Sequence, residues 1–274
     1  MTWIVPLPVF TDNYVWLVLD GAPLAAAGTL AQTIQAAGAR HCAVVDPGDG
    51  PATVALLEQA QLQPCAILVT HHDRDHVAGI PELTARWRCP VYGPAGDQPG
   101  TVTHVVDEGD RIHLPAKLGD FTVLTTPGHT AHHVAYLGDN RLFCGDTLFG
   151  AGCGRVKYST ALALFQSLEK LAQLPTTTEV YCAHEYTLAN LRFAQYVEPD
   201  NLALRERWQQ VCRLREIGQP SLPSTLGLEL DSNPFLRCAV PQVRAAVERF
   251  SGRALQSKAE VFAELRRWKD NFRP

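Results

Sequence analysis

The stretch Cys65-Ala66-Ile67-Leu68-Val69-Thr70-His71-His72-Asp73-Arg74-Asp75-His76 decides how this chain is read. A short unbroken apolar run that gives way to polar residues is the pattern of a buried strand. Here the strand delivers imidazoles and carboxylates directly into a loop. His71 and Asp73 alternate off the strand end, and Asp75 and His76 follow in the turn. Two pairs of ligands placed in this way can serve two neighbouring metal ions, which points to a dinuclear hydrolase.

The chain has 274 residues, 46% of them hydrophobic, enough for one large core or a core plus a smaller second domain. A net charge of -4 and a pI near 6.2 leave no global basic field, so no nucleic-acid partner is expected. No run of about 18 apolar residues occurs, and no membrane association is expected. The start, Met1 to Pro6, lacks a charged segment and meets Asp12-Asn13 early, so no export signal is expected. Cys42, Cys65, Cys89, Cys144, Cys153, Cys182, Cys212 and Cys238 form no C-x-x-C pair, and several lie in apolar runs. Thiols there behave as small hydrophobes, so they are read as reduced and the protein as cytoplasmic; a monomer is expected.

The first two-thirds alternates short apolar runs with helical patterns. Strands are expected at 15–19, 43–45, 66–69, 121–124, 134–137 and 180–182. One helix is expected at 51–60, with Pro51 in its first turn, and another at 159–171, with Leu162, Phe165, Leu168 and Leu171 on one face. After His184 the strand signal disappears, and 188–197, 202–217, 241–250 and 257–268 carry helical patterns. The expected organisation is an α/β catalytic domain over 1–186 and a helical domain over 187–274. The Ala-rich segment 21–40 reads as a loop or a short helix, and no internal repeat is present.

Three later segments repeat the logic of the first. Val123-Leu124-Thr125-Thr126-Pro127-Gly128-His129-Thr130 exposes His129 on a Pro-Gly turn, Leu142-Phe143-Cys144-Gly145-Asp146-Thr147 presents Asp146, and Val180-Tyr181-Cys182-Ala183-His184 presents His184. A single histidine is more often structural than ligating, and Asp146-Thr147 alone could cap a helix. Four strand ends of one kind are a different matter. Two divalent ions need imidazoles and one carboxylate that bridges them, and Asp146 is the natural bridge. Water on such ions ionises near neutral pH, which implies hydrolysis. His41, His104, His113 and His132 lack this context, and His72 and His133 are read as supporting neighbours of the ligands.

The motifs T-H-x-x-x-D-H, T-P-G-H-T, G-D-T-L-F-x-A-G-C-G and C-x-H-E-Y together resemble the metallo-β-lactamase superfamily. Within it the chain is similar to glyoxalase II, the hydroxyacylglutathione hydrolases. The likeness runs from Thr11-Asp12-Asn13-Tyr14 through Val45-Asp46-Pro47-Gly48 to Pro223-Ser224-Thr225-Leu226, Asn233-Pro234-Phe235-Leu236-Arg237 and Arg266-Arg267-Trp268-Lys269-Asp270. It implies an αββα sandwich followed by a helical domain that helps to bind glutathione. It also implies two divalent ions, zinc by family habit. His71, Asp73 and His129 would hold one, Asp75, His76 and His184 the other, and Asp146 would bridge them. Asp75 and Asp146 would then be the carboxylates closest to the chemistry. Arg155, Tyr186, Arg266 and Lys269 match positions that hold glutathione, and Lys157 either adds a charge there or faces solvent. The implied reaction converts S-D-lactoylglutathione to D-lactate and glutathione.

One departure matters. The family pattern is T-H-x-H-x-D-H, and this chain carries Asp73 where the second His is usual. An extra carboxylate is a harder, charged ligand, so iron or manganese gains on zinc and bound water becomes less acidic. The superfamily's flavodiiron branch resembles this arrangement in using a carboxylate within the motif. Two rival readings are an iron-dependent persulfide dioxygenase and a binding protein for glutathione conjugates that has lost catalysis through Asp73. The first typically lacks a full second metal site, whereas Asp75, His76 and His184 are all present here.

Overall fold

The computed structural model describes residues 2–23, 28–96 and 101–273. They divide into two compact units, Met1–Thr125 with Val134–Asp139, and Thr126–His133 with Asn140–Pro274.

The first unit is organised by a buried strand. β1 (Thr2–Val9) and β2 (Asn13–Asp20) form an antiparallel hairpin closed by the turn at 10–12, and Val15 to Leu19 are buried throughout. α1 (Leu30–Ala36) leads to β3 (His41–Val45), antiparallel to β2. From there the sheet grows in parallel, which requires crossovers. α2 (Gly50–Gln59) carries the chain to β4 (Gln63–Leu68), and the short α3 (Arg74–Val77) with α4 (Ile80–Arg86) carries it to β5 (Val91–Gly93) and then β6 (His104–Val105). β7 (Arg111–Leu114), β8 (Gly119–Thr125) and β9 (Val134–Gly138) follow as an antiparallel meander. Leu17, Ile34, Val44, Leu57, Ile67 and Leu83 are core members of this unit.

In the second unit β10 (Arg141–Gly145) is followed by the small hairpin β11 (Leu148–Phe149) and β12 (Gly152–Cys153), then α5 (Ala161–Leu171) and β13 (Glu179–Cys182), which pairs in parallel with β10. α6 (Thr187–Val197), α7 (Leu202–Glu216), β14 (Ser224–Thr225), α8 (Leu226–Ser232), α9 (Pro241–Ser251) and α10 (Lys258–Asn271) complete it. The ring of Phe193 meets those of Phe235, Trp268 and Phe272.

Some expectations are corrected. The buried face of α5 is Leu164, Ser167, Leu168 and Leu171, with Leu162 exposed. Positions three and four apart share a helix face, and the stripe built on Leu162 was out of phase. β14 continues the strand pattern beyond His184 by pairing antiparallel with β13, but two residues are too few to display a period. Asp75 and His76 lie in the helical turn α3, not in a free loop. Within 21–40, α1 starts with a capping box at Thr29 and Gln32, whereas 24–27 fall outside the described residues. Among the described residues no helix is long and apolar enough to cross a membrane.

A buried ion pair ties α7 to α8. The carboxylate of Glu229 accepts from the guanidinium of Arg207, from Ser224 Oγ at 2.6 Å, Asn233 Nδ2 at 3.1 Å and the backbone N of Ala151 at 2.9 Å. Arg207 also donates to Ser232 Oγ at 2.8 Å. Removing one partner of such a pair strands the other charge in the interior, which costs about 3–5 kcal/mol. Glu229→Ala is therefore expected to destabilise folding by that order, read as a fall in the urea unfolding midpoint.

Candidate metal centre

Each unit carries its own set of imidazole and carboxylate donors, and the local hydrogen bonds decide which ring nitrogen is available. In the first unit β3 ends at Val45, and Asp46 follows in a left-handed conformation (φ 51°) that aspartate tolerates better than most residues. Its carboxylate is buried and accepts from Thr70 N at 2.8 Å, Thr70 Oγ1 at 2.7 Å and His76 Nδ1 at 3.1 Å. With its proton given to Asp46, the Thr70 hydroxyl oxygen accepts from His71 Nδ1 at 3.0 Å. Both histidines thus carry their proton on Nδ1 and present the lone pair of Nε2. Those lone pairs face carboxylate oxygens: His71 Nε2 lies 3.7 Å from Asp73 Oδ2, and His76 Nε2 lies 3.6 Å from Asp75 Oδ2.

In the second unit the same outcome is reached differently. His129 Nδ1 donates to the carbonyl of Arg155 at 2.7 Å, again leaving Nε2 with its lone pair. Asp146 presents Oδ2 to His129 Nε2 at 3.5 Å and Oδ1 to His184 Nε2 at 3.4 Å, one oxygen to each imidazole. The Asp146 backbone N–H donates to His133 Nε2 at 3.1 Å, so His133 holds its own proton on Nδ1, next to Thr126 Oγ1 at 2.9 Å. Gly154 is required beside it, because a Cβ there would sit 2.0 Å from the Asp146 carbonyl oxygen.

Facing acceptors repel unless a cation lies between them. Ligands at about 2.0–2.2 Å from a shared ion stand a little over 3 Å apart, and the separations here are of that kind. The donor chemistry of both units therefore fits divalent metal ions.

The expected cationic residues all belong to the second unit. Arg155 and Lys157 are exposed, and the Lys157 N–H donates to the His129 carbonyl at 3.1 Å. Arg266 is not a solvated helix-end charge. It is 5% exposed, donates to the Cys153 carbonyl at 3.0 Å and to Asp270 Oδ1 at 2.8 and 3.1 Å, and lies 5.0 Å from the Phe235 ring centre. Lys269 Nζ lies 3.4 Å from the Ala189 carbonyl and 5.4 Å from the Phe193 ring centre. Burial, with the like charges of Arg266 and Arg155, brings its pKa down to about 8. Tyr186 stacks on His184, ring centres 4.7 Å apart and planes at 5°.

Asp46 and Asn13 carry site functions that sequence reasoning did not assign. Asn13 Nδ2 donates to Asp75 Oδ2 at 3.0 Å. The usable signal for Asp46 was its place just past the apolar run of β3, the same signal that singled out His129 and Asp146. His41 and His113 pair with surface carboxylates of Asp20 and Asp120, at 2.7 and 3.1 Å, in keeping with a structural role.

Residues 33–184 match the family model of the metallo-β-lactamase superfamily, and residues 185–272 that of the hydroxyacylglutathione hydrolase C-terminus. A hydroxyacylglutathione hydrolase of Nitrosomonas europaea is 44% identical over 268 residues, spanning 98% of this chain and 95% of its own. One of Alkalilimnicola ehrlichii is 46% identical over 270 residues, spanning 98% and 99%. Among solved structures, TTHA1623 in a di-iron-bound form aligns with a TM-score of 0.55 at 25% identity, covering 85% of this chain and 100% of that one. The mixed sheets with a helical C-terminal region are thus the metallo-β-lactamase fold extended in the glyoxalase II manner, and the chain belongs to the hydroxyacylglutathione hydrolases.

Proposed function

We propose that the protein hydrolyses 2-hydroxyacyl thioesters of glutathione, S-D-lactoylglutathione first among them, to the 2-hydroxy acid and glutathione. The observation that carries this reading is Asp146, with each oxygen turned to the Nε2 of a different imidazole, in a chain matched end to end by hydroxyacylglutathione hydrolases. In this reading His71, Asp73 and His129 hold one ion, Asp75, His76 and His184 the other, and Asp146 serves both. When bound, the ions supply the Lewis acidity that activates water at neutral pH and polarises a thioester carbonyl. Asn13 holds Asp75 by one oxygen, so this carboxylate keeps a fixed orientation through the reaction. Arg155, Lys157, Tyr186, Arg266 and Lys269 bind the glutathione moiety, with Arg266 acting from a buried position that fixes the Cys153 carbonyl just ahead of Arg155. Thiolate is a good leaving group and needs no dedicated acid.

The catalytic part is assigned to 1–186, and the helical part 187–274 helps to bind the substrate through Arg266 and Lys269, a division supported by family matches that meet at 184 and 185. A cytoplasmic location remains part of the proposal, supported by cysteines that are all free, and so does a monomeric state. Removal of metal by a chelator is expected to abolish hydrolysis of S-D-lactoylglutathione, and two equivalents of metal per chain to restore it. Titration of the metal-free protein with activity measured at each step checks both. Restoration at one equivalent would remove the two-ion mechanism.

Asp73 adds a third carboxylate to the proposed set, which favours iron or manganese over zinc. Asp73→His is expected to shift metal content toward zinc when the protein is reconstituted in equal zinc and iron. Plasma emission spectrometry reads that ratio, and an unchanged ratio would discharge Asp73 as its determinant.

Lys269 supplies a pH dependence. Its ammonium is charged below about pH 8 and neutral above, and only the charged form pairs with a glutathione carboxylate. KM is expected to rise as pH passes 8 while kcat changes little, and Lys269→Met to raise KM at neutral pH and flatten the profile. Steady-state kinetics at pH ~7 to ~9 would expose the error if the wild-type rise survived in the variant.

A further inference from the structure

One wall of the first unit has no part in glutathione binding as described. A cavity of about 610 Å³ is lined by Phe10, Asn13, Asp49, Pro51, Arg74 and Asp75, among others. That volume suits a small-molecule site, typically ~300–1,000 Å³, and exceeds what the three carbons of a lactoyl group fill. Asp75 in this wall is a proposed metal ligand, so an acyl group whose carbonyl is activated at the metals lies next to the cavity.

Two lining residues are placed in ways that the fold alone does not require. Phe10, in the turn between β1 and β2, has φ 53° and is 59% exposed. The left-handed region is strained for a bulky residue, and here no core packing offsets the strain. Arg74 opens α3 and is exposed, and its guanidinium makes no hydrogen bond or ion pair among the described residues. It is the one cation in the lining. The two carboxylates beside it are already engaged: Asp49 accepts from Ala52 N at 3.0 Å as the cap of α2, and Asp75 accepts from Asn13.

An apolar ring together with an uncommitted guanidinium suits a chain of methylenes that ends in an anion. We propose that the cavity is the acyl subsite and selects acyl groups carrying a distal carboxylate. Arg74 pairs with that carboxylate through its two-pronged fork, and Phe10 with Pro51 covers the methylene chain. This inference rests on the glutathione-thioester reading and adds a second acyl class beside the lactoyl group named there.

The test compares two non-hydrolysable thioethers, S-(3-carboxypropyl)glutathione and S-butylglutathione, by titration calorimetry on metal-loaded protein. The carboxylated ligand is expected to bind about tenfold tighter, the size of one charge-assisted contact. Arg74→Gln is expected to bring the two ligands within about twofold of each other, Arg74→Lys to recover part of the preference, and Phe10→Ala to weaken both alike. Equal affinities in the wild type, or a preference that survives Arg74→Gln, overturn the acyl subsite and leave the glutathione reading intact. Binding of neither ligand overturns both.

Discussion

The donor loop of the first unit depends on one buried carboxylate. The Asp46 carboxylate only accepts hydrogen bonds, so each of its contacts dictates where a proton sits. Thr70 must give it a hydroxyl proton and His76 its Nδ1 proton. The Thr70 oxygen is then free to accept from His71, and both Nε2 lone pairs point away from the protein's own hydrogen bonds. Three further backbone features keep Asp46 in place: its left-handed φ, the parallel pairing of β3 with β4, and the close approach of Gly48, where a Cβ would meet the Asp75 carbonyl oxygen at 1.8 Å. The histidines are therefore set in their metal-binding tautomer by a residue that is not itself a ligand in the proposed set.

The second unit reaches the same result with backbone in place of a carboxylate. The Arg155 carbonyl fixes His129, and His133 fixes the Asp146 backbone. This makes the path of the chain from 146 to 155 part of the site. That path is held from the helical region. Asn190 donates to the Gly150 carbonyl at 3.0 Å, Asn233 to the Gly152 carbonyl at 2.9 Å, and Glu229 accepts from Ala151 N. Ala151 has φ 53°, a conformation that these bonds hold in place. The helices after His184 thus do more than supply the proposed glutathione contacts: their buried polar side chains shape the loop that carries Asp146 at one end and Arg155 at the other. The coupling also accounts for the grouping of His129, Asp146 and His184 with the helical region in one compact unit.

The imidazoles and carboxylates of the candidate site could be picked out from the chain because they sit where apolar runs stop, and that transition is visible without coordinates. The residues that orient the ligands were harder. Asp46 stands in Asp-Pro-Gly, which reads as an ordinary turn, and Asn13 follows a tight turn whose partner, Asp75, is 62 positions away. Glu229 and Arg207 occupy helices whose polar residues are expected to face water, and nothing in their spacing marks them as buried partners. The phase error at α5 has a related cause. Leu162 and Leu164 both suit an apolar stripe, and only packing decides between them. Periodicity records which faces are apolar, whereas polar contacts across long stretches of chain depend on the fold being formed.

Asp73 bears on why a thioester is the suitable substrate for this centre. Three carboxylates, Asp73, Asp75 and Asp146, would share two divalent ions, one more than where histidine fills the second position. The ions are then weaker Lewis acids, and activated water is less acidic but more basic as a nucleophile. For an ester or amide such a change is costly, because the departing alkoxide or amine must be stabilised or protonated. A thiol ionises near pH 8.5, so its anion departs without that help. Asp73 is also one of the acidic residues behind the protein's net charge of -4, which opposes an anionic glutathione conjugate. In the proposed site the cations are concentrated locally, and the pKa of Lys269 is lowered first by burial and then by the like charges of Arg266 and Arg155. A carboxylate bound there would offset the repulsion among them, which favours an anionic ligand over a neutral one.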